Sequence, residues 1–293
     1  MNLLFFGTAS AIPTAGNGYT SFLVAIGDCR ILIDTGDNPV KALLECGEDP
    51  KTLDAVVLTH SHIDHLGALP SLVSALDCMK REEPLKIISA PETREVAERL
   101  LSQFPMDPSA LSFSLEYKVS LTNGGFRYKG GLENEGGQER ERLPASRSSL
   151  ASHRKMENNG FSLSLLPGKH SVPTSMVQIL YGRSNPSKPL RFLYTSDYCH
   201  GPEVTSPAGK VDVLVHEATY PHQGLPSITS HSSARQAGQA ARKSDSRLLF
   251  LCHFEAESYA EGIKSAAEEA GKEFSGNVIV PNIYQWYKIP DFP

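Results

Sequence analysis

Residues 58–70 read LTHSHIDHLGALP. Three histidines and an aspartate, His60, His62, Asp64 and His65, fall within six positions, directly after the apolar run LDAVVL. Imidazole and carboxylate are donor types that zinc and related divalent ions take. Left unpaired, the same groups are costly to remove from water. In an irregular turn after a strand, His60 and His62 can face the same way. Asp64 and His65 then fall at the start of the next helix, so four donors can converge on one small volume.

Such a cluster needs a strand to carry it and a core to hold the strand. LDAVVLTH supplies the strand, and HLGALPSLVSALDCMKR follows as a largely helical stretch with apolar residues at three-to-four spacing. NLLFF reads as a buried strand that stops at the turn-rich GTASAIPTAGNG. TSFLVAIGDCRILIDTG reads as a hairpin around IGD. NPVKALLECG reads as a helix with Asn38 as N-cap, Pro39 at the first turn and Gly47 just past the end. PLKIISA, FSLSLLPGKH, SMVQILYG, LRFLYTSDY, VDVLVHEATY, RLLFLCHF and NVIVPN read as strands. PETREVAERLLSQF, SSARQAGQAARKS and SYAEGIKSAAEEAG read as helices. Strands and helices in this order predict an α/β chain in which two sheets pack together with helices outside.

Residues 122–159 break the pattern. They are rich in Gly, Ser and charge and poor in large aliphatics, so they predict an exposed insertion in a chain that is otherwise one domain over 1–293. The 293 residues carry a net charge of -5. That balance excludes a protein that grips nucleic acid over its whole surface. Five widely spaced cysteines without a C-x-x-C predict free thiols and a cytoplasmic setting. The apolar start MNLLFF is too short for a secretory leader and reads as a strand, and no apolar run is long enough to span a membrane.

THSHIDH resembles the signature of the metallo-β-lactamase superfamily. Three more residues match that family in order: His170 in LPGKHSVPTS, Asp197 in FLYTSDY and His253 in LFLCHF. The resemblance implies a four-layer αββα sandwich with a two-metal site at one edge of the sheets. It implies that His60, His62 and His170 hold one divalent ion, that Asp64, His65 and His253 hold the other, and that Asp197 bridges them. Zinc is the expected metal, with manganese or iron as alternatives. Asp34 in ILIDTG matches an early acidic position that supports the ligands from behind. Two such ions roughly 3.5–4 Å apart acidify a bridging water, so hydroxide serves as nucleophile.

Four further stretches are similar to the ribonuclease Z branch, a tRNA 3′-processing phosphodiesterase: LVHEATY, SHSSARQA, FFGTASAIPT and HSVPTS. In that branch His231 would serve the leaving oxygen, or stabilise the scissile phosphate, and Glu217 would orient it. Asp64 belongs to the catalytic set through its metal. The remaining histidines, His200, His216 and His222, read as rim or core residues, and His153 as solvated. Tyr198 and Tyr220 sit where they can line a pocket or pack.

The match departs from the branch in its arm. Ribonuclease Z enzymes usually carry a long tRNA-gripping arm between the third histidine motif and the bridging aspartate. Here 26 residues separate His170 from Asp197. The insertion at 122–159 lies earlier, and its seven Lys/Arg are interleaved with five Glu, a poor phosphate track. LIDTGDNP also lacks the branch's Cys-Gly-Glu run, and CHFEAES its Ser-x-Arg-Tyr ending. The expected function is a two-metal phosphodiesterase acting on a tRNA precursor or on a small or cyclic phosphodiester. A lactone, thioester or β-lactam hydrolase, a redox di-iron protein and a non-catalytic binding protein are the alternatives. No membrane partner is expected, and a homodimer is compatible with the reading.

Overall fold

A computed structural model describes residues 1–106, 109–119, 127–129, 160–182, 189–200, 208–227 and 229–292. Its strands are β1 (Asn2–Ala9), β2 (Gly18–Tyr19), β3 (Ser21–Ile26), β4 (Cys29–Ile33), β5 (Ala55–Leu58), β6 (Leu85–Ser89), β7 (Leu115–Val119), β8 (Arg127–Lys129), β9 (Phe161–Pro167), β10 (Ser175–Tyr181), β11 (Leu190–Tyr194), β12 (Val213–Glu217), β13 (Leu248–Cys252), β14 (Asn277–Ile279) and β15 (Trp286–Lys288). The helices are α1 (Pro39–Glu45), α2 (Ile63–Leu66), α3 (Leu69–Cys78), α4 (Pro91–Ser102), α5 (Ala234–Lys243) and α6 (Ser265–Gly271).

Two sheets form. The first runs β15-β1-β3-β4-β5-β6-β7 with β2 beside β1, and the second runs β14-β13-β12-β11-β10-β9-β8. Alternate residues of each strand enter different cores. Leu3 and Phe5 of β1 meet Phe192, Tyr194 and Phe250 of the second sheet between the sheets. Leu4 and Phe6 face outward with Leu43, Leu72 and Leu101 from α1, α3 and α4. On the far side, Leu214, Leu249 and Leu251 pack against the alanine face of α5 and α6. Strands buried on both faces need unbroken apolar runs, which is why NLLFF does not alternate. The layers are helix, sheet, sheet, helix, as the sequence predicts.

Each sheet has a parallel half. Strands β4, β5, β6 and β7 run parallel, and so do β11, β12, β13 and β14. Parallel strands deliver their C-terminal ends to one edge, where ligands collect in open α/β sheets. The N-cap of α1 is Asn38, which accepts from the Lys41 amide, and Gly47 takes φ 73° after the helix.

Several elements differ from expectation, among them β2 and β7, for which no strand was predicted. The helix after His65 is two helices, because Gly67 and Ala68 interrupt it between α2 and α3. The last helix is short, starting only at Ser265. Strand β15 closes the first sheet by pairing with β1, and a three-residue strand is too brief for a period-two signal. Within the expected insertion, Arg127–Lys129 pair with β9 as the edge of the second sheet. The rest of 122–159, His153 included, lies outside the described residues. No helix among the described residues is long and apolar enough to cross a membrane.

Candidate metal centre

All seven expected donors meet at the edge where the parallel strands end. His60 follows β5, Asp197 follows β11, His253 follows β13, and His170 stands in the β9–β10 connection. Three residues just past strand ends adopt left-handed backbone: Asp34 at φ 60°, Ser196 at φ 54° and His253 at φ 59°. For a residue other than glycine this costs about 1–3 kcal/mol, and such outliers cluster at functional sites. Here each one turns the chain sharply at the sheet edge.

The donor atoms form two sets of four. In the first, His60 Nε2 is 3.1 Å from His62 Nδ1, which is 3.2 Å from His170 Nε2. Asp197 Oδ2 is 3.6 Å from His60 Nε2 and 3.5 Å from His170 Nε2. In the second, Asp197 Oδ1 is 3.3 Å from His65 Nε2 and 3.2 Å from His253 Nε2. Asp64 Oδ2 is 3.6 Å from His65 Nε2 and 3.5 Å from His253 Nε2. A tetrahedral zinc ion with bonds of about 2.0–2.1 Å needs donors about 3.3–3.4 Å apart. Both sets fit, and Asp197 gives one oxygen to each. His65 Nε2, Asp197 Oδ1 and His253 Nε2 are buried with no hydrogen-bond partner. Three unpartnered buried atoms facing one point are what a cation would satisfy.

The opposite ring nitrogens are tied down. His65 Nδ1 donates to Asp34 Oδ2 at 2.9 Å, and His170 Nδ1 to the Ser230 carbonyl at 2.9 Å. Asp34 also accepts the Thr59 amide at 2.8 Å and the Thr59 hydroxyl at 2.9 Å. With its proton committed to Asp34, Thr59 Oγ1 can only accept from His60 Nδ1, 3.1 Å away. In these three histidines a hydrogen sits on Nδ1 and Nε2 is the nitrogen turned to the site, the usual orientation device for ligand imidazoles.

Electrostatics agree with this inventory. Burial, and then the neighbouring imidazoles, push His60 and His62 below the ordinary histidine value, and burial does the same to His170. Each shift favours the neutral ring, whose lone pair is free to donate. Burial opposes ionisation of Asp197, but His253 and His65 hold it well below the carboxylate range. His65 is the exception. Burial disfavours its charge, yet Asp197 and Asp34 raise it well above the ordinary value. A cation taking that nitrogen must displace a proton.

Beside the donors stands the second expected group. Glu217, at the end of β12, accepts four donors: the amides of Tyr198 and Ser232, the Thr219 hydroxyl at 2.6 Å and His231 Nδ1 at 3.3 Å. His231 stacks on His253 with ring centroids 5.1 Å apart. Burial alone would lower His231, but the Glu217 bond and the charges of Glu217, Asp197 and Asp64 lift it to about 9. Bound cations would pull it down from there.

The other described histidines take no place among the donor sets. His216 is fully buried, donates to the Glu217 carbonyl and sits 3.0 Å from His200 Nε2. His222 meets the Ser233 hydroxyl. Tyr198 packs edge-on to His200. Sequence reasoning assigned no role to Thr59, Ser196 or Thr219. Thr59 and Thr219 both lie inside the quoted motifs, and Thr59 adjoins the donor His60 in sequence, whereas Thr219 adjoins no donor histidine.

Residues 15–184 match the family model for the Metallo-beta-lactamase superfamily, more than half of the chain. The chain belongs to this superfamily and is a metal-dependent hydrolase of it. Ribonuclease Z of Haloarcula marismortui is 25% identical, covering 96% of this chain and 94% of that protein. The metallo-beta-lactamase fold protein YhfI of Bacillus subtilis matches with a TM-score of 0.70 at 17% identity, over 98% of both chains. The short form of human tRNase Z matches with a TM-score of 0.70 at 15% identity, over 99% of this chain and 100% of that one. At such identities the two structures show the fold.

Proposed function

We infer that this chain is a single-domain, two-cation phosphodiesterase similar to ribonuclease Z. His60, His62 and His170 are its ligands at one position, Asp64, His65 and His253 at the other, and Asp197 at both. The observation that carries this reading is the pair of four-atom sets sharing Asp197, with a Glu217–His231 pair directly beside them. When bound, two divalent ions, zinc by the donor chemistry, supply activated water and neutralise charge on a phosphoryl oxygen. The side chains do the rest. Asp34 and Thr59 hold the ligand rings, and Glu217 keeps His231 oriented and protonated. His231 delivers its proton to the departing oxygen, and that pair favours phosphodiester over acyl chemistry.

Two substrate classes follow from the ribonuclease Z likeness: the 3′ end of a tRNA precursor, and a small or cyclic phosphodiester. One feature favours the small substrate. β10 and β11 are consecutive antiparallel strands joined by residues 182–189, which leaves no length for a tRNA-gripping arm. The test is a side-by-side assay of zinc-loaded protein on a tRNA precursor, a cyclic nucleotide and an activated ester, with zinc content measured on the same sample. Phosphodiester turnover with two zinc ions per chain is expected. Turnover of the ester alone, or no bound metal, sinks the reading.

A further inference from the structure

The two buried carboxylates behind the donor sets are used alike. Asp34 holds His65 directly and His60 through the Thr59 hydroxyl. Glu217 holds His231 directly, and its other oxygen accepts the Thr219 hydroxyl, which in turn lies 2.9 Å from His253 Nδ1. Each carboxylate serves one imidazole by contact and a second through a threonine. Thr219 is 2% exposed, and its backbone is clamped as well: its carbonyl accepts the Glu255 amide, while the neighbouring Ala218 amide donates to Cys252.

Proton counting makes the Thr219 contact directional. A hydroxyl has one proton to give, and a carboxylate with four donors around it can only accept. The Thr219 proton therefore goes to Glu217. Its oxygen must then receive a hydrogen from His253, so the His253 hydrogen is on Nδ1. Nε2 is then the ring nitrogen turned toward Asp64 and Asp197, 3.5 and 3.2 Å away.

We propose that Thr219 is a positioning residue for the second cation: its hydroxyl passes the Glu217 charge to His253 and fixes the tautomer that presents Nε2 to the metal position. The same contact joins the leaving-group histidine and a metal ligand to one carboxylate. This rests on His253 being a ligand, as proposed above.

The test uses chelator-stripped full-length chain and Zn²⁺ alone, with zinc per chain read after dialysis over a range of free zinc. Thr219→Val keeps the shape and removes the hydroxyl, whereas Thr219→Ser keeps the hydroxyl. We expect wild type and Thr219→Ser to bind two ions alike. Thr219→Val should bind the first normally and the second about 10–100-fold more weakly, the usual effect of losing an outer-shell partner. His253→Ala should lose the second ion. Equal binding by Thr219→Val and wild type, or Thr219→Ser as weak as Thr219→Val, overturns the Thr219 role while the ligand reading stands. His253→Ala retaining both ions at wild-type affinity overturns both. Nitrogen NMR of the metal-free wild type gives a readout independent of whether Thr219→Val folds: hydrogen on His253 Nδ1 is expected, and a ring with its only hydrogen on Nε2 overturns the proposal.

Discussion

Gly36 lies so close beneath Asp64 that a Cβ at position 36 would stand 1.5 Å from the Asp64 carbonyl oxygen. The two segments are locked by backbone bonds on either side, Thr35 N–H to the His65 carbonyl and Ala68 N–H to the Thr35 carbonyl. The turn after β4 is thus the seat on which α2 and its donors rest.

Gly36→Ala is expected to displace α2 and cost about 3 kcal/mol, at the upper end of overpacking effects. The urea midpoint of the metal-free protein reads the stability, and zinc content reads the site. Two tightly bound ions in the variant would show that α2 is not held from this turn.

His231→Ala should keep both metal ions and lower kcat by roughly 100-fold or more, as loss of a general acid does. Its pH dependence has a definite sign. His231 is raised by Glu217 and acts in its protonated form, so activity falls as pH rises through its value. Glu217→Gln removes the main raising influence and leaves burial, which lowers. The alkaline limb of the kcat–pH profile should then move to lower pH. A limb that stays in place in Glu217→Gln rules out His231 as its source.

Cation binding at the second position should release a proton near neutral pH, because Asp197 and Asp34 keep His65 protonated in the free protein. Zinc affinity there should rise with pH. Calorimetry in buffers of different ionisation enthalpy counts the protons, and identical heats across buffers would contradict this.

Arg81 is 3% exposed and donates to the carbonyls of Lys51, Leu53, Glu83 and Pro84. It fastens the approach to β5, the strand that delivers His60. Arg81→Leu would leave buried carbonyls unpaired and should destabilise the chain by about 3 kcal/mol or more. Chemical denaturation checks this. A loss below about 1 kcal/mol would mean that water reaches those carbonyls.

Much of the site was legible because its signals are local. The close spacing of His60, His62, Asp64 and His65 after an apolar run needs no partner to be noticed. His170, Asp197 and His253 were legible only as a series matched to a family in order, since a single histidine or aspartate at a strand end carries little information. Thr59 and Thr219 went unassigned because a hydroxyl has no characteristic spacing. Its role depends on which carboxylate lies within hydrogen-bond reach. Strand β15 was missed for a related reason. Three residues define no periodicity, and their pairing with β1 joins opposite ends of the sequence.

By itself the sequence determined the types of donor, their order along the chain and the layered pattern of apolar runs, because these are properties of neighbouring residues. Only the tertiary structure decided how closely the seven candidate donors, whose division into two sets sharing Asp197 the family resemblance already implied, come together. It also decided which nitrogen each ring turns inward. Those facts follow from where parallel strands end and from buried carboxylates that select one tautomer, and both arise between segments far apart in the chain.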